Sequence, residues 1–247
     1  MIAGALFVLL CLPPVLRPAA VSAQPAALAE GRRLLEEASE GFFNESVPHP
    51  AVRGLLDRSR ASFAALSDRC QSAYWQGRVE YLYGFVEQAD RRSKAAQARF
   101  RQSLDLAGRA LECGESSEAY RLMADAQAQL LISGGLAYRM THGQKAKQWV
   151  LRAVELDPTN AAAQLSLALY YKNAPGFAGG NESQARRILH ELEVRSDLER
   201  TERFSVNTWL GIAYAERKDP ERARIHLIRA QAVYPGNTWL RELLAGL

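Results

Sequence analysis

The chain is 247 residues long, 48% hydrophobic and 23% charged, the proportions of a soluble protein that holds one large domain or one array of repeats. Its net charge is +4, and the basic residues alternate with acids, as in Arg32-Arg33-Leu34-Leu35-Glu36-Glu37. Such mixing makes solvated helix faces rather than a cationic surface, so no nucleic-acid partner is expected. No stretch alternates apolar and polar residues at period two over the length of a strand, and the expected class is all-α.

Ile2 to Leu16 is an apolar run broken by Pro13-Pro14 and followed by Arg17 and Val21-Ser22-Ala23. At 15 residues it is short for a membrane span, which needs about 20. Val21 and Ala23 fit a signal-peptidase cut between Ala23 and Gln24. Residues 1–23 therefore read as a signal peptide, and the rest as a chain exported to the periplasm or cell envelope. Cys11 is preceded by Leu10, where lipid-modified cysteines want Gly, Ala or Ser. Beyond the signal only Cys70 and Cys113 remain. They sit at ends of neighbouring helices that an antiparallel hairpin brings together. Either they pair, as an oxidising compartment allows, or they are two buried thiols.

In chain order, a helix over 24–43 carries Leu28, Leu34, Leu35 and Ala38, and a loop over 44–50 is marked by Pro48 and Pro50. A second helix, 52–66, carries Leu55, Leu56, Ser59, Phe63 and Leu66 at three- and four-residue steps. The next pair, about 70–89 and 93–112, turns Trp75, Val79, Tyr83, Gly84 and Val86 inward, then Ala96, Phe100 and Ser103, with Ser93 as N-cap. A third pair is capped by Ser116 or Ser117. Its inward residues are Leu122, Met123 and Ala126, then Ala146, Val150 and Ala153, with Pro158 closing it. The long connection over 132–143 is expected to extend both helices and leave a protruding corner. A fourth pair starts at Ala161 with Leu167, Ala168 and Tyr171, then Ala185, Leu189 and Leu192, and has an insertion between its helices over 173–181. Asn181 and Gln184 there read as a capping box. The fifth carries Leu210, Gly211 and Tyr214, restarts at Asp219-Pro220, continues with Ala223, Leu227 and Ala230, and stops at Pro235. Asn237 caps a last helix, 239–247.

The fifth pair, with Leu-Gly-x-x-Tyr, then Ala-x-x-x-Leu-x-x-Ala, then Pro in register, closely resembles a tetratricopeptide repeat. The likeness extends over about residues 25–247. It implies a right-handed α-solenoid of about five hairpins (25–69, 70–113, 116–160, 161–197 and 204–236) and a capping helix, 237–247, covering the end of the stack. Gly211 and Ala223 are the small residues that let two backbones approach. The 173–181 insertion resembles one found in exported tetratricopeptide proteins, including the T-components of tripartite (TRAP) solute transporters. In this family the outward residues of each first helix line the groove. Carried onto matching positions, they are Arg78, Tyr81, Phe85 and Gln88, then Tyr120 and Gln127, then Leu165, Leu169, Lys172 and Asn173. Aromatics beside amide and basic groups suit a peptide strand.

Catalytic chemistry is not evident. His49, His142, His190 and His226 lie far apart without metal-ligand spacing, and His190-Glu191 has no second histidine in the zincin register. No Gly-x-Ser-x-Gly elbow occurs, and Gly179-Gly180 is followed by no Lys-Ser or Lys-Thr. No catalytic, metal-binding or cofactor-binding residue is therefore expected. The expected function is an exported, non-enzymatic scaffold for a protein or peptide partner, with peripheral membrane association open to it. The alternative is an accessory subunit of a solute-uptake system that holds a small molecule or docks a solute-binding protein.

Overall fold

A helix begins where a side chain can accept from its first unpaired N–H groups. Asp68, Ser116, Asn160, Asn181, Asp219 and Asn237 each do so one residue ahead of a helix. The computed structural model describes residues 19–247, which form eleven α-helices and no strand. They are α1 (Ala19–Phe43), α2 (His49–Ala64), α3 (Arg69–Ala89), α4 (Ser93–Ala110), α5 (Ser117–Ser133), α6 (Leu136–Leu156), α7 (Ala161–Asn173), α8 (Glu182–Glu193), α9 (Arg200–Glu216), α10 (Pro220–Val233) and α11 (Thr238–Ala245). Residues 1–18 of the expected signal segment lie outside the described residues. The expected cut, Ala23–Gln24, falls within α1. Gln24 bridges to the α2–α3 turn, donating to the Ala65 carbonyl at 3.2 Å and accepting from the Ser67 N–H at 2.7 Å.

The helices pack in adjacent pairs, α1 on α2 through α9 on α10, and each odd-numbered helix also touches the next odd-numbered one up to α9. The spacing that predicts the pairs also explains their closeness. A Cβ on Gly84 would lie 2.4 Å from the Phe100 ring, and one on Gly211 would lie 2.6 Å from Leu227. Both contacts join residues 16 apart in sequence. Seven residues after each glycine, Arg91 and Lys218 take left-handed φ values of 60° and 61°, so the two pairs share one turn as well as one contact. Gly31 meets the Phe63 ring in the same way within the first pair, although 32 residues separate them.

Cys70 and Cys113 are disulfide-bonded, with their Cα atoms 6.2 Å apart. The bond joins the first turn of α3 to a 3-10 turn, Leu111–Cys113, at the end of α4. Three local expectations are corrected. Ser93 is the first helical residue of α4 rather than its cap, a one-residue displacement usual at helix ends. The connection over 132–143 extends both helices as expected, but so far that the corner shrinks to Gly134-Gly135 between Ser133 and Leu136. Asn181 accepts from the Gln184 N–H at 3.1 Å, but its own N–H goes to the Tyr171 carbonyl at 2.8 Å, so only half of the capping box forms.

The end of α1 and the turn after it meet α9, the end of α10 and the start of α11. Phe43, at the end of α1, stacks on Tyr234 and packs on Phe204. Tyr234 is fully buried and donates its hydroxyl to Glu40 at 3.1 Å, and Arg200 pairs with the same carboxylate at 2.9 Å. The Gly236 N–H donates to Asn44 Oδ1 and the Asn237 amide donates to the Phe43 carbonyl, each at 2.8 Å, while Thr238 donates twice to Glu45. A Cβ on Gly236 would sit 1.9 Å from the Asn44 carbonyl oxygen, so only glycine permits this approach. The sequence makes α11 a cover for a free end. In the structure α11 also borders the α1–α2 turn, and that end is not free.

Candidate functional site

The structure does not gather the ten expected groove residues on one surface. Gln127 is 2% exposed and donates to the Tyr138 hydroxyl, and Leu165 is buried in the core formed by α5 to α9. Both are corrected from groove to interior. Tyr81 and Phe85 pack edge-to-face on each other and on Phe100, in a cluster with Leu130 and Tyr138. Leu169 packs against the α5–α9 core. Arg78 lies over the Trp75 ring at 5.2 Å. Lys172 pairs with Glu216 at 2.5 Å, and Tyr120 donates to Glu115 at 3.2 Å. Gln88 and Asn173 are exposed, and the Asn173 amide donates back to the Leu169 carbonyl. Gln127 is covered by Tyr138 of α6, and Tyr81 and Phe85 by Phe100 of α4, so these outward positions become interior while Gln88 and Asn173 do not.

What the fold brings together is a cleft of about 480 Å³ at the N-terminal ends of α5, α7 and α9. Ser116 and Asn160 cap the first two helices, and Glu199 precedes the third. The rim carries Glu118, Asp157, Asp197, Glu199 and Glu202 beside one cation, Arg195. A carboxylate in the first turn of a helix is favoured by the free N–H groups there, which explains why acids collect at this end.

The back wall is a hydrogen-bonded chain. Glu118 accepts from the Tyr74 hydroxyl at 2.8 Å, the Asn160 amide at 2.7 Å and the Arg121 guanidinium at 3.1 Å. Arg121 spans to Asp125 at 2.7 Å. Burial opposes the Glu118 charge, but Arg121 and the Tyr74 hydroxyl outweigh it and hold the carboxyl below the ordinary range. At Asp125 burial wins over Arg121 and Ser166, and the carboxyl is pushed up. On the rim, the Thr159 hydroxyl and N–H lower Asp157, and Arg195, bound to Asp197 at 2.7 Å, lowers Asp197. Glu202 is different: burial and the neighbouring Glu199 and Glu118 raise it against the Glu199 N–H bond. Among the described residues neither Glu199 nor Glu202 forms a salt bridge. The lining holds five carboxylates beside Arg195, and Arg121, which pairs with Glu118 behind them, also draws the Glu202 carboxyl down.

No family model and no curated protein matches the chain. Among solved structures, the HusA haemophore from Porphyromonas gingivalis is similar at 19% sequence identity, with a TM-score of 0.45, covering 82% of this chain and 93% of that one. A likeness this loose carries no argument about ligand or function.

In the sequence Ser116 reads as a cap and Pro158 as the close of a helix pair, and no spacing joins the two. A signal is present: acids recur in or just before the first turn of three odd-numbered helices. Only the side-by-side packing of α5, α7 and α9 turns three separate helix starts into one site.

Proposed function

We propose that the chain is an exported, non-enzymatic scaffold of the tetratricopeptide type, a right-handed α-solenoid of five hairpins that binds a protein or peptide partner through a basic segment. The observation that carries this reading is the cleft between α5, α7 and α9, with five carboxylates against one arginine. The adjacent helix pairs and the matching Gly84–Phe100 and Gly211–Leu227 contacts support the repeat assignment. The Cys70–Cys113 bond supports an oxidising compartment, and hence a periplasmic or envelope location.

A lysine or arginine side chain entering the cleft meets Glu199 and Glu202, whose charges then gain a partner out of bulk water. Titration of the full chain with lysine- and arginine-bearing peptides is expected to show binding that weakens with added salt. Glu199→Gln with Glu202→Gln should weaken it about tenfold, a loss of about 1.4 kcal/mol. Equal affinity in that variant, or equal affinity for acidic peptides, overturns the reading. The cleft volume also lies in the range of about 300–1,000 Å³ that small-molecule sites occupy. That favours, as second reading, a solute-uptake accessory subunit holding a small cation, for which a polyamine in the same titration is the probe.

A further inference from the structure

We infer that the corner formed by the end of α5, the start of α6 and the 174–181 loop docks on an anionic phospholipid surface. Eight large apolar side chains stand exposed among the described residues, and three of them belong to this corner: Ile132 at 62%, Met140 at 71% and Phe177 at 91%. Lys147, about two helical turns from Met140 along one stripe of α6, reaches Gly179 in the loop that carries Phe177. The Arg139 guanidinium donates to the Ile132 carbonyl at 3.0 Å, which sets the end of α5 beside Met140.

Charge selects the partner. No Asp or Glu occurs between Asp125 and Glu155, and the 174–181 loop carries no charge at all. Arg139, Lys145 and Lys147 lie in that acid-free stretch, and none forms a salt bridge among the described residues. Ile132, Met140 and Phe177 rise from separate elements, the end of α5, α6 and the 174–181 loop. Isolated apolar groups among cations fit the headgroup boundary, where each can enter separately while the cations meet lipid phosphates. No helix among the described residues is long and apolar enough to cross a membrane, so the contact is with the surface. The acidic cleft lies at the opposite end of α5, about 25 Å away over its 17 residues. An anionic surface that attracts the corner repels the cleft, so docking holds the cleft facing away from the lipid. Membrane docking stands whether or not the cleft takes a basic peptide.

The test is co-sedimentation of the full chain with vesicles of phosphatidylcholine containing phosphatidylglycerol, against vesicles of phosphatidylcholine alone. Partition to the anionic vesicles alone, falling with salt, is expected. Lys145→Glu should lower it by about fivefold or more, and Met140→Ser with Phe177→Ser by about tenfold for each apolar group withdrawn. Phe177→Trp gives a readout independent of the amount bound, because its emission shifts to shorter wavelength when the ring enters the lipid boundary. No partition of the unaltered chain, partition unchanged by Met140→Ser with Phe177→Ser, or an F177W emission unmoved by anionic vesicles each overturns the proposal.

Discussion

The α3–α4 pair and the junction between the chain's two ends are held by different kinds of information. In the first, every fixing contact is local. Gly84 admits Phe100, the Cys70–Cys113 bond spans 43 residues, and fully buried Glu80 accepts from Arg99 at 2.9 Å within the pair and from Arg60 of α2 at 3.1 Å. In the second, Glu40 to Glu45 meet Arg200 to Thr238 across separations of up to 194 residues. Local spacing fixes a helix pair because 3.6 residues per turn places small and large residues opposite one another. No such period links Asn44 to Gly236. Their meeting depends on how much each successive pair rotates relative to the last.

The largest expected effect breaks the local region. Reducing the disulfide, or replacing both cysteines by serine, should cost about 4 kcal/mol in the chain-entropy account of a loop this long. Denaturant unfolding with and without reductant measures it, and equal stabilities would place the stabilisation elsewhere. Next comes the junction. Gly236→Val forces a side chain into the Asn44 carbonyl, and overpacking of this kind costs about 1–3 kcal/mol. Hydrogen exchange should then rise at the end of α1 and in α11 while α3 and α4 stay protected. Uniform loosening would mean that the two regions are one cooperative unit.

Tyr234→Phe is a gentler probe. It keeps the stacking on Phe43 but removes the hydroxyl bond to Glu40, for about 1 kcal/mol, read from the same denaturation curves. The smallest effect concerns acid. His226 is buried against Tyr214, and burial pushes its imidazole below the ordinary value of 6.5; Arg229 and His190 push the same way, while Glu193 opposes them. The unfolded chain therefore takes up this proton more readily than the folded one. The contribution to stability is full above about pH 6.5 and is lost as pH falls toward the folded value. Melting temperature should fall on acidification through that window, and less steeply in His226→Phe; equal slopes would assign the loss to other groups.

Much of the helix pattern is legible in the residues. Asp219-Pro220, Asn237 and Ser116 start helices where capping chemistry places them, and Ala223, Leu227 and Ala230 are buried as their spacing predicts. The groove is less legible. Gln127 and Leu165 occupy positions that face outward in the family resembled, but here Tyr138 of α6 covers the first and the α5–α9 core encloses the second. The cleft escapes notice for the opposite reason. Glu118, Glu199 and Glu202 are ordinary helix-start acids, and their significance lies only in being side by side.

By itself the sequence determined an all-α chain, the order of its helices, most of their side-chain caps and, in the fifth pair, which residues must be small. Those follow from hydrogen bonds and steric contacts within a few turns, where chain geometry leaves little choice. Tertiary structure alone decided that Gly236 meets Asn44 and that three acidic helix starts share a cleft. Each of these depends on angles between packed helices, and small angles accumulate over the series into positions that no local spacing records.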